Sequence, residues 1–270
     1  MTLLLQISDP HFGTEQPQVE EALVQLAHQQ CPELLVLSGD ITQRAEPEQF
    51  AAARRFCDRL RVPSMLAIPG NHDIPLFNLY ARLRNPYGNF IREFGADLEP
   101  QFCSPQLLVV CVNTTRAHRH KNGEVSTAQK RRVGQLLSGA ELKQLRIVVT
   151  HQPVHVLRER DEHDLLRGNE AAVRAWSAAG ADLILGGHIH LPYVRPLSER
   201  FSGLARAIWC VQAGTSLSSR VRHEAANSVN LIRYQADAQQ PHCYVERWDF
   251  SATMRSFVRS DICSVPLDRR

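Results

Sequence analysis

The residues best suited to chemistry in this sequence form a polar tetrapeptide, Gly-Asn-His-Asp, at positions 70–73, directly after an apolar run at 64–68. An amide, an imidazole and a carboxylate in succession offer metal ligands and acid–base groups. Because the run ends abruptly at Pro69, the sequence predicts that these groups stand at the carboxyl end of a β-strand. Ligands of open α/β sheets bind at that edge.

Four other apolar runs end in polar loops of the same kind. The loops carry Asp9 and His11 after residues 3–7, Asp40 after 34–37, His151 after 147–149, and His188 and His190 after 182–185. Amphipathic helical patterns lie between most of the runs, beginning near Pro17, Pro47 and Ser126. Strands that alternate with helices predict βαβ units and a largely parallel sheet, whose exit loops meet at one edge.

Together these loops supply a ligand set suited to hard or borderline transition metals. A single ion that keeps an open position would not use all seven side chains, whereas two ions about 3.5–4 Å apart could share a carboxylate such as Asp40. Taken alone, each residue is more often structural, and spacing does not divide them between two ions. The candidate ligands are Asp9, His11, Asp40, Asn71, His151, His188 and His190.

In their order along the chain, these motifs resemble those of the calcineurin-like metallophosphoesterase superfamily. The motifs are D-x-H at 9–11, G-D at 39–40, G-N-H-D at 70–73, a lone histidine at 151 and G-H-x-H at 187–190. Within the superfamily the chain is similar to bacterial class III cyclic-nucleotide phosphodiesterases, mainly through residues 39–42 and its size. The resemblance implies an α/β fold, a four-layer α/β sandwich of two mixed β-sheets flanked by helices.

The resemblance also implies a role for each residue of the site. It places Asp9, His11 and His190 on one ion, Asn71, His151 and His188 on the other, and Asp40 between them. A metal-bridging hydroxide would attack phosphorus, His72 would stabilise or protonate the leaving oxygen, and Asp73 would orient His72. The two ions could be Fe, Mn or Zn. Gln43 and Gln152 depart from residues that many relatives have, which leaves the substrate class open.

Arg116, after the predicted strand 107–112, is a candidate phosphate clamp, because a guanidinium can bind two oxygens. An ordinary surface arginine is the alternative, and the same two interpretations apply to His118, His120 and Lys121. We expect a phosphodiesterase, with 3',5'-cyclic nucleotides as one candidate substrate. The alternatives are a phosphomonoesterase, a nucleotide-lipid pyrophosphatase and, least favoured, a non-enzymatic scaffold, because such a member usually loses His72 or several ligands.

Composition narrows the class of protein. A net charge of +3, with scattered Lys and Arg, does not indicate a dedicated nucleic-acid binder, but it is compatible with a small phosphorylated substrate. Neither a signal peptide nor a membrane span is apparent, so a cytoplasmic protein is expected. The seven cysteines include no C-x-x-C pair, which disfavours disulfides and a cysteine zinc site. Oligomeric state is left open.

The domain prediction is a single domain over residues 1–270, since no linker or internal repeat interrupts it. Residues 76–105 are predicted to be a mostly helical insertion, either a lid over the substrate or an aromatic helix face packed on the core. Residues of about 191–250 lose the helical period, and they are predicted to form antiparallel strands of a second sheet packed on the first. The tail after Phe250 is not assigned.

Overall fold

The computed structural model describes residues 1–222, 225–236 and 241–269, which form two six-stranded sheets and their covering helices. The strands are β1 (Thr2–Ile7), β2 (Leu34–Ser38), β3 (Ser64–Ile68), β4 (Gln101–Cys103), β5 (Leu107–Cys111), β6 (Leu145–Val149), β7 (Leu183–Gly186), β8 (Tyr193–Pro196), β9 (Trp209–Gln212), β10 (Ser228–Gln235), β11 (His242–Ser251) and β12 (Ser256–Val265). The helices are α1 (Pro17–Gln30), α2 (Pro47–Leu60), α3 (Leu79–Arg84), α4 (Gly88–Phe94), α5 (Thr127–Ser138) and α6 (Asn169–Ala178).

The apolar runs are continuous because both faces of their strands are buried. Along β1, Leu3 and Leu5 pack into the apolar cluster under α1 and α2, whereas Leu4 packs into the cluster between the sheets. Successive side chains of a strand point to opposite faces, so both faces of the strand meet apolar partners. On the far side, α5 and α6 cover the second sheet through Val133 and Trp176. The predicted four-layer sandwich of two mixed sheets is confirmed.

The prediction that residues of about 191–250 form strands of a second sheet holds for β8 and β9 but is wrong for β10 and β11. The first sheet has the order β12-β11-β10-β1-β2-β3 and the second has the order β4-β5-β6-β7-β9-β8, so these strands are divided between the two. Strand β9 pairs parallel with β7, and β10 pairs antiparallel with β1. The tail after Phe250 forms β12. Alternation in the sequence indicates a strand but not its partner, and pairing with β10 removes the open edge that β1 would otherwise expose.

Parallel pairing brings the polar loops together. Strands β1, β2 and β3 are parallel in the first sheet, and β5, β6, β7 and β9 are parallel in the second. Hydrogen bonds cross between their exit loops, from Asp9 N to Gly39 O (3.0 Å) and from Gly187 N to His151 O (2.9 Å). Between the two sheets, His188 N donates to Asp9 Oδ2 (2.9 Å), so the facing sheets deliver their loops to one end of the sandwich.

The predicted insertion at 76–105 contains α3, α4 and β4, and its two helices differ in exposure. Phe90 of α4 is buried, with its ring centroid 6.2 Å from that of Phe50 on α2, so α4 packs on the core. Helix α3 instead leaves Leu79, Tyr80 and Leu83 exposed. The core-packing interpretation therefore holds for α4, and a lid role for the segment stays a prediction.

Among the described residues, none of the helices combines the length and apolarity that crossing a bilayer requires. A cytoplasmic location stays a prediction.

Candidate metal centre

The candidate ligands lie together at the end of the sandwich in overlapping groups. Within each group the potential ligand atoms lie within 4.8 Å of one another. His11 Nε2 is 3.0 Å from His190 Nε2, and His151 Nε2 is 3.3 Å from Asp40 Oδ1. The groups are Asp9, His11 and His190; His11, Asp40 and His72; and Asp40, His151 and His188.

Asp40 joins the two ends of this arrangement. It belongs to the group with His11 and also to the group with His151 and His188. Asn71 lines the same cavity as Asp40 and His188. Its side-chain oxygen is buried and, among the described residues, has no hydrogen-bond partner. An acceptor oxygen left unpaired in the interior is costly, and a cation would satisfy it.

The backbone at these positions is strained. Of the nine non-glycine residues with positive φ in the described part of the chain, five are candidate ligands. Such conformations cost of the order of 1–3 kcal/mol each and persist where the surrounding structure enforces them, often at functional sites. Here the left-handed conformation turns the chain sharply as it leaves a strand. The five residues are Asp9 (φ 50°), His11 (46°), Asp40 (48°), His188 (74°) and His190 (54°).

Two motif glycines allow the loops to approach each other. A Cβ on Gly70 would lie 2.1 Å from Asp40 N, and a Cβ on Gly187 would lie 1.9 Å from Ser8 Oγ. Neither approach is possible for a side-chain-bearing residue without movement of the loops. The glycines of G-N-H-D and G-H-x-H therefore set the distances between ligands on neighbouring loops.

Burial and neighbouring charges shift the pKa values of the candidate ligands. Burial alone would raise the pKa of Asp9, but the adjacent His190 and His151 outweigh it and lower the pKa to about 2. Burial lowers the pKa of His11 to about 3, so its imidazole is neutral. Burial opposes protonation of His151 as well, but the Asp40 carboxylate outweighs it and raises the pKa to about 9. A proton on His151 thus balances Asp40 where a cation would otherwise do so.

These residues fit divalent or trivalent cations. The carboxylates of Asp9 and Asp40 are almost fully buried, and among the described residues only histidines lie within ion-pair distance of them. Two buried carboxylates without a Lys or Arg partner are unfavourable unless a metal compensates them. The imidazole, carboxylate and amide donors are those that Fe, Mn and Zn accept.

His72 stands beside this cluster with a fixed orientation. Its backbone N–H donates to Asp40 Oδ1 (2.8 Å), and its Nδ1 lies 3.0 Å from the Gln43 carbonyl oxygen. Its Nε2 lies 3.3 Å from Arg220 Nη1. A carbonyl only accepts and a guanidinium only donates, so the geometry assigns the proton of a neutral imidazole to Nδ1 and the lone pair to Nε2. The Nε2 edge is the one that can reach a substrate.

The placement of Asp73 does not support the prediction that it orients His72. The buried Asp73 carboxylate accepts hydrogen bonds from the N–H groups of Gly70 (2.8 Å), Ile41 (3.0 Å) and Thr42 (2.8 Å), and from the Thr42 hydroxyl (2.8 Å). The 3₁₀ turn at Asn71–Asp73 directs successive side chains in different directions, so Asp73 points into the protein. Asp73 joins two exit loops, and the Gln43 carbonyl orients His72 instead.

Replacing Asp73 by Asn is expected to lower stability more than it alters the chemistry. An amide group in place of one carboxylate oxygen would leave two buried N–H donors unpaired, at a cost of about 2–4 kcal/mol in the free energy of unfolding. Urea denaturation of the metal-free wild-type and variant proteins measures this difference. An unchanged free energy of unfolding, together with a selective fall in kcat, would instead support an orienting role toward His72.

Arg116 does not enter the site. Its guanidinium donates to the carbonyl oxygens of Asn113 (3.0 Å) and Thr115 (2.8 Å) and to Gln129 Oε1 (2.8 Å). The loop after β5 carries Arg116 toward the first turn of α5, and the chain's own oxygens take up its donors. The prediction of a phosphate clamp at Arg116 is therefore not supported by its placement.

A cavity of about 560 Å³ opens over the cluster and contains residues that sequence reasoning missed. Arg220 and Arg222 come from the loop after β9, and Asp164 lies 3.4 Å from His188 Nε2. The signal was available for the arginines, since their loop follows an apolar run as the five others do. The assumption that this run was antiparallel concealed it. His120 and Lys121, left open in the sequence, also line the cavity.

Comparison with known proteins agrees with this geometry. The sequence model described as Calcineurin-like phosphoesterase matches residues 2–192. Over 82 residues, the chain is 35% identical to the glycerophosphodiester phosphodiesterase GpdQ of Enterobacter lignolyticus, a match that covers 26% of this chain and only 29% of that protein.

Two solved structures share the fold at low sequence identity. A dimetal phosphatase from Danio rerio aligns with a TM-score of 0.63 at 13% identity, over 99% of both chains. The purple acid phosphatase PPD1 from yellow lupin aligns with a TM-score of 0.69 at 10% identity, over 97% of this chain and 53% of the other. From the family match across most of its length, we conclude that the chain belongs to the calcineurin-like phosphoesterase family.

Proposed function

We propose that the protein is a dinuclear metal-dependent phosphodiesterase. One observation carries the proposal: the candidate ligands converge as three overlapping groups, two of which contain Asp40, and His72 belongs to one of those two. One ion would be held by Asp9, His11 and His190, and the other by Asn71, His151 and His188. A shared carboxylate between two histidine-rich groups is the arrangement that a two-metal hydrolase needs.

The chain's own residues prepare the site for phosphate chemistry. When bound, two cations neutralise the non-bridging oxygens of a phosphate ester and lower the pKa of bound water. Asp40 holds the G-N-H-D loop through the His72 N–H, and the Gln43 carbonyl fixes the imidazole ring. His72 thus presents Nε2 to the leaving oxygen, and with both ring nitrogens protonated it can donate from Nε2 to that oxygen as the ester bond breaks.

A second ester substituent has a place to bind beside His72. A smaller cavity of about 130 Å³ shares His72 and Leu76 with the main one and is also lined by Ile74 and Phe77. The Arg44 guanidinium lies over the Phe77 ring, 5.5 Å from its centroid. A planar group such as the base of a 3',5'-cyclic nucleotide fits this lining, which favours a diester. The name of the GpdQ relative points the same way.

Two alternatives rest on specific features of the same region. Arg220 and Lys121 in the main cavity would suit the dianionic phosphate of a monoester. The exposed Leu79, Tyr80 and Leu83 of α3 would suit the lipid of a nucleotide-lipid pyrophosphate. Both use the same metals, so the substrate and not the metal site distinguishes them. A non-enzymatic scaffold is disfavoured because the seven candidate ligands and His72 are all present.

A substrate panel tests the proposal. Protein reconstituted with Mn or Fe is expected to hydrolyse bis(p-nitrophenyl) phosphate and to prefer cyclic nucleotides over phosphomonoesters and UDP-lipid analogues. Chelation should abolish turnover, and addition of Mn should restore it. A higher kcat/KM for phosphomonoesters than for every diester in the panel would make the protein a phosphomonoesterase.

Phe77→Ala is expected to lower kcat/KM for diesters with a ring, by about tenfold, from the loss of its contact area. Methyl p-nitrophenyl phosphate has its ring only on the leaving group, so an equal loss with this substrate would place the leaving group, and not the second substituent, against Phe77. Leu83→Ala is the matched control, since Leu83 is similarly exposed on the same segment (84% against 76% for Phe77) but does not line the small cavity. Equal losses in the two variants would argue against a substituent site at Phe77.

A further inference from the structure

We infer that Arg220 binds a phosphoryl oxygen of the substrate on the side of the cavity occupied by His72. The inference rests on the proposed function and names the residue that takes the role expected of Arg116. Arg220 comes from the loop between β9 and β10, beyond the residues that the family model matches.

The loop holds the backbone of Arg220 in place. Arg220 N donates to Ser218 Oγ (2.9 Å), and Arg220 O lies 2.7 Å from His190 Nδ1. Next to it, Ser219 N donates to Thr14 O (2.9 Å), which ties the loop to the segment after His11. A carbonyl that fixes a candidate metal ligand cannot shift freely. Arg220 is therefore built into the rim of the metal site, and its side chain starts from a defined position.

The charge of Arg220 is less compensated than that of its basic neighbours. Lys121 Nζ is 2.6 Å from Asp164 Oδ1, and Arg222 Nη2 is 3.0 Å from Asp161 Oδ1. Within residues 1–222, 225–236 and 241–269, no carboxylate lies within ion-pair distance of Arg220, whose guanidinium donates to the neutral Gln43 Oε1 (2.8 Å). A guanidinium that lacks an anionic partner at the mouth of a cavity is available to an incoming anion.

The position of the guanidinium matches a phosphate that reacts beside His72. Arg220 Nη1 is 3.3 Å from His72 Nε2, the atom directed toward the leaving oxygen. A phosphoryl group bound between the metal ligands and His72 would bring an oxygen within reach of the same guanidinium. Arginine presents a planar fork of donors, so it can hold that oxygen and keep its contact with Gln43. A lysine at this position would offer a single point charge.

The test measures binding of inorganic phosphate to Mn-loaded protein by calorimetry, in parallel with kcat and KM. Arg220→Gln is expected to weaken phosphate binding by at least about tenfold and to raise KM, because one charge-assisted contact is lost. The phosphate affinity of Arg220→Lys should lie between those of the wild type and Arg220→Gln, since lysine keeps the charge but not the planar fork of donors. Metal content should stay at the wild-type level in both variants. Arg131→Gln, on the exposed face of α5, controls for the change in net charge.

Two results would overturn the inference. One is unchanged phosphate affinity in Arg220→Gln, and the other is a loss of metal in step with the loss of phosphate, which would make Arg220 a support for His190. Phosphate affinity is compared whether or not any ester is hydrolysed. Failure of the wild-type protein to hydrolyse the panel would therefore count against the proposed function, separately from the role of Arg220.

Discussion

Asp40→Ala is expected to lose both metal ions together and to lower kcat/KM by more than about 10³-fold. Loss of a partner behind the ligands of a metal site already costs about 10–100-fold, and Asp40 belongs to two of the three ligand groups. The same carboxylate accepts the His72 N–H, so the acid–base residue would lose its anchor as well. Metal content measured by mass spectrometry on dialysed protein, with kcat/KM in parallel, checks both parts.

Two further variants make the Asp40 result specific. Asp40→Asn keeps an oxygen for the His72 N–H but removes the negative charge, so it should bind metal weakly while remaining folded. His242→Gln replaces an exposed histidine on β11, outside the candidate ligand set, and should retain metal. Retention of one ion at full occupancy in Asp40→Ala would show that Asp40 does not bridge two ions.

His72→Ala is expected to lower kcat by about 10²–10⁴-fold for substrates with a poor leaving group, with metal content unchanged. The reason is that, in the proposed function, Nε2 faces the leaving oxygen and donates a proton to it, while the ring is held through Nδ1. A p-nitrophenolate leaving group needs little protonation, so the same variant should lose much less activity on bis(p-nitrophenyl) phosphate. The ratio of the two losses measures the proton transfer itself.

Two different results would contradict an acid–base role for His72. Its imidazole also lies within 4.8 Å of the candidate ligand atoms of His11 and Asp40. Loss of one ion from His72→Ala would therefore make His72 a ligand. Equal losses for good and poor leaving groups would make it a group that stabilises charge without donating a proton.

Most strands and helices could be predicted from the sequence, because their patterns depend on residues that are neighbours in the chain. Continuous apolar runs such as residues 34–37 predicted strands buried on both faces, and the helices that begin at Pro17 and Pro47 start where their first-turn prolines indicated. The loops that end these strands carry the candidate ligands, so side-chain chemistry and order alone pointed to a metal centre and to the family.

Contacts between residues that are distant in the chain could not be predicted from the sequence. Nothing near Asp73 in the chain shows that its carboxylate would meet the N–H groups of Ile41 and Thr42 rather than His72. Likewise, β10 and β9 have similar alternation but join different sheets, because pairing depends on the open edge that each strand meets in space.

The sequence by itself determined which residue types stand at the strand exits, and hence the kind of ion and reaction that the site suits. Only the tertiary structure decided which groups surround His72. It directed Arg116 to the start of α5 and placed Arg220 of a sixth exit loop 3.3 Å from His72 Nε2. The physical reason is that ligand type is a property of single residues, whereas the position of a guanidinium depends on the parallel pairing of β9 with β7.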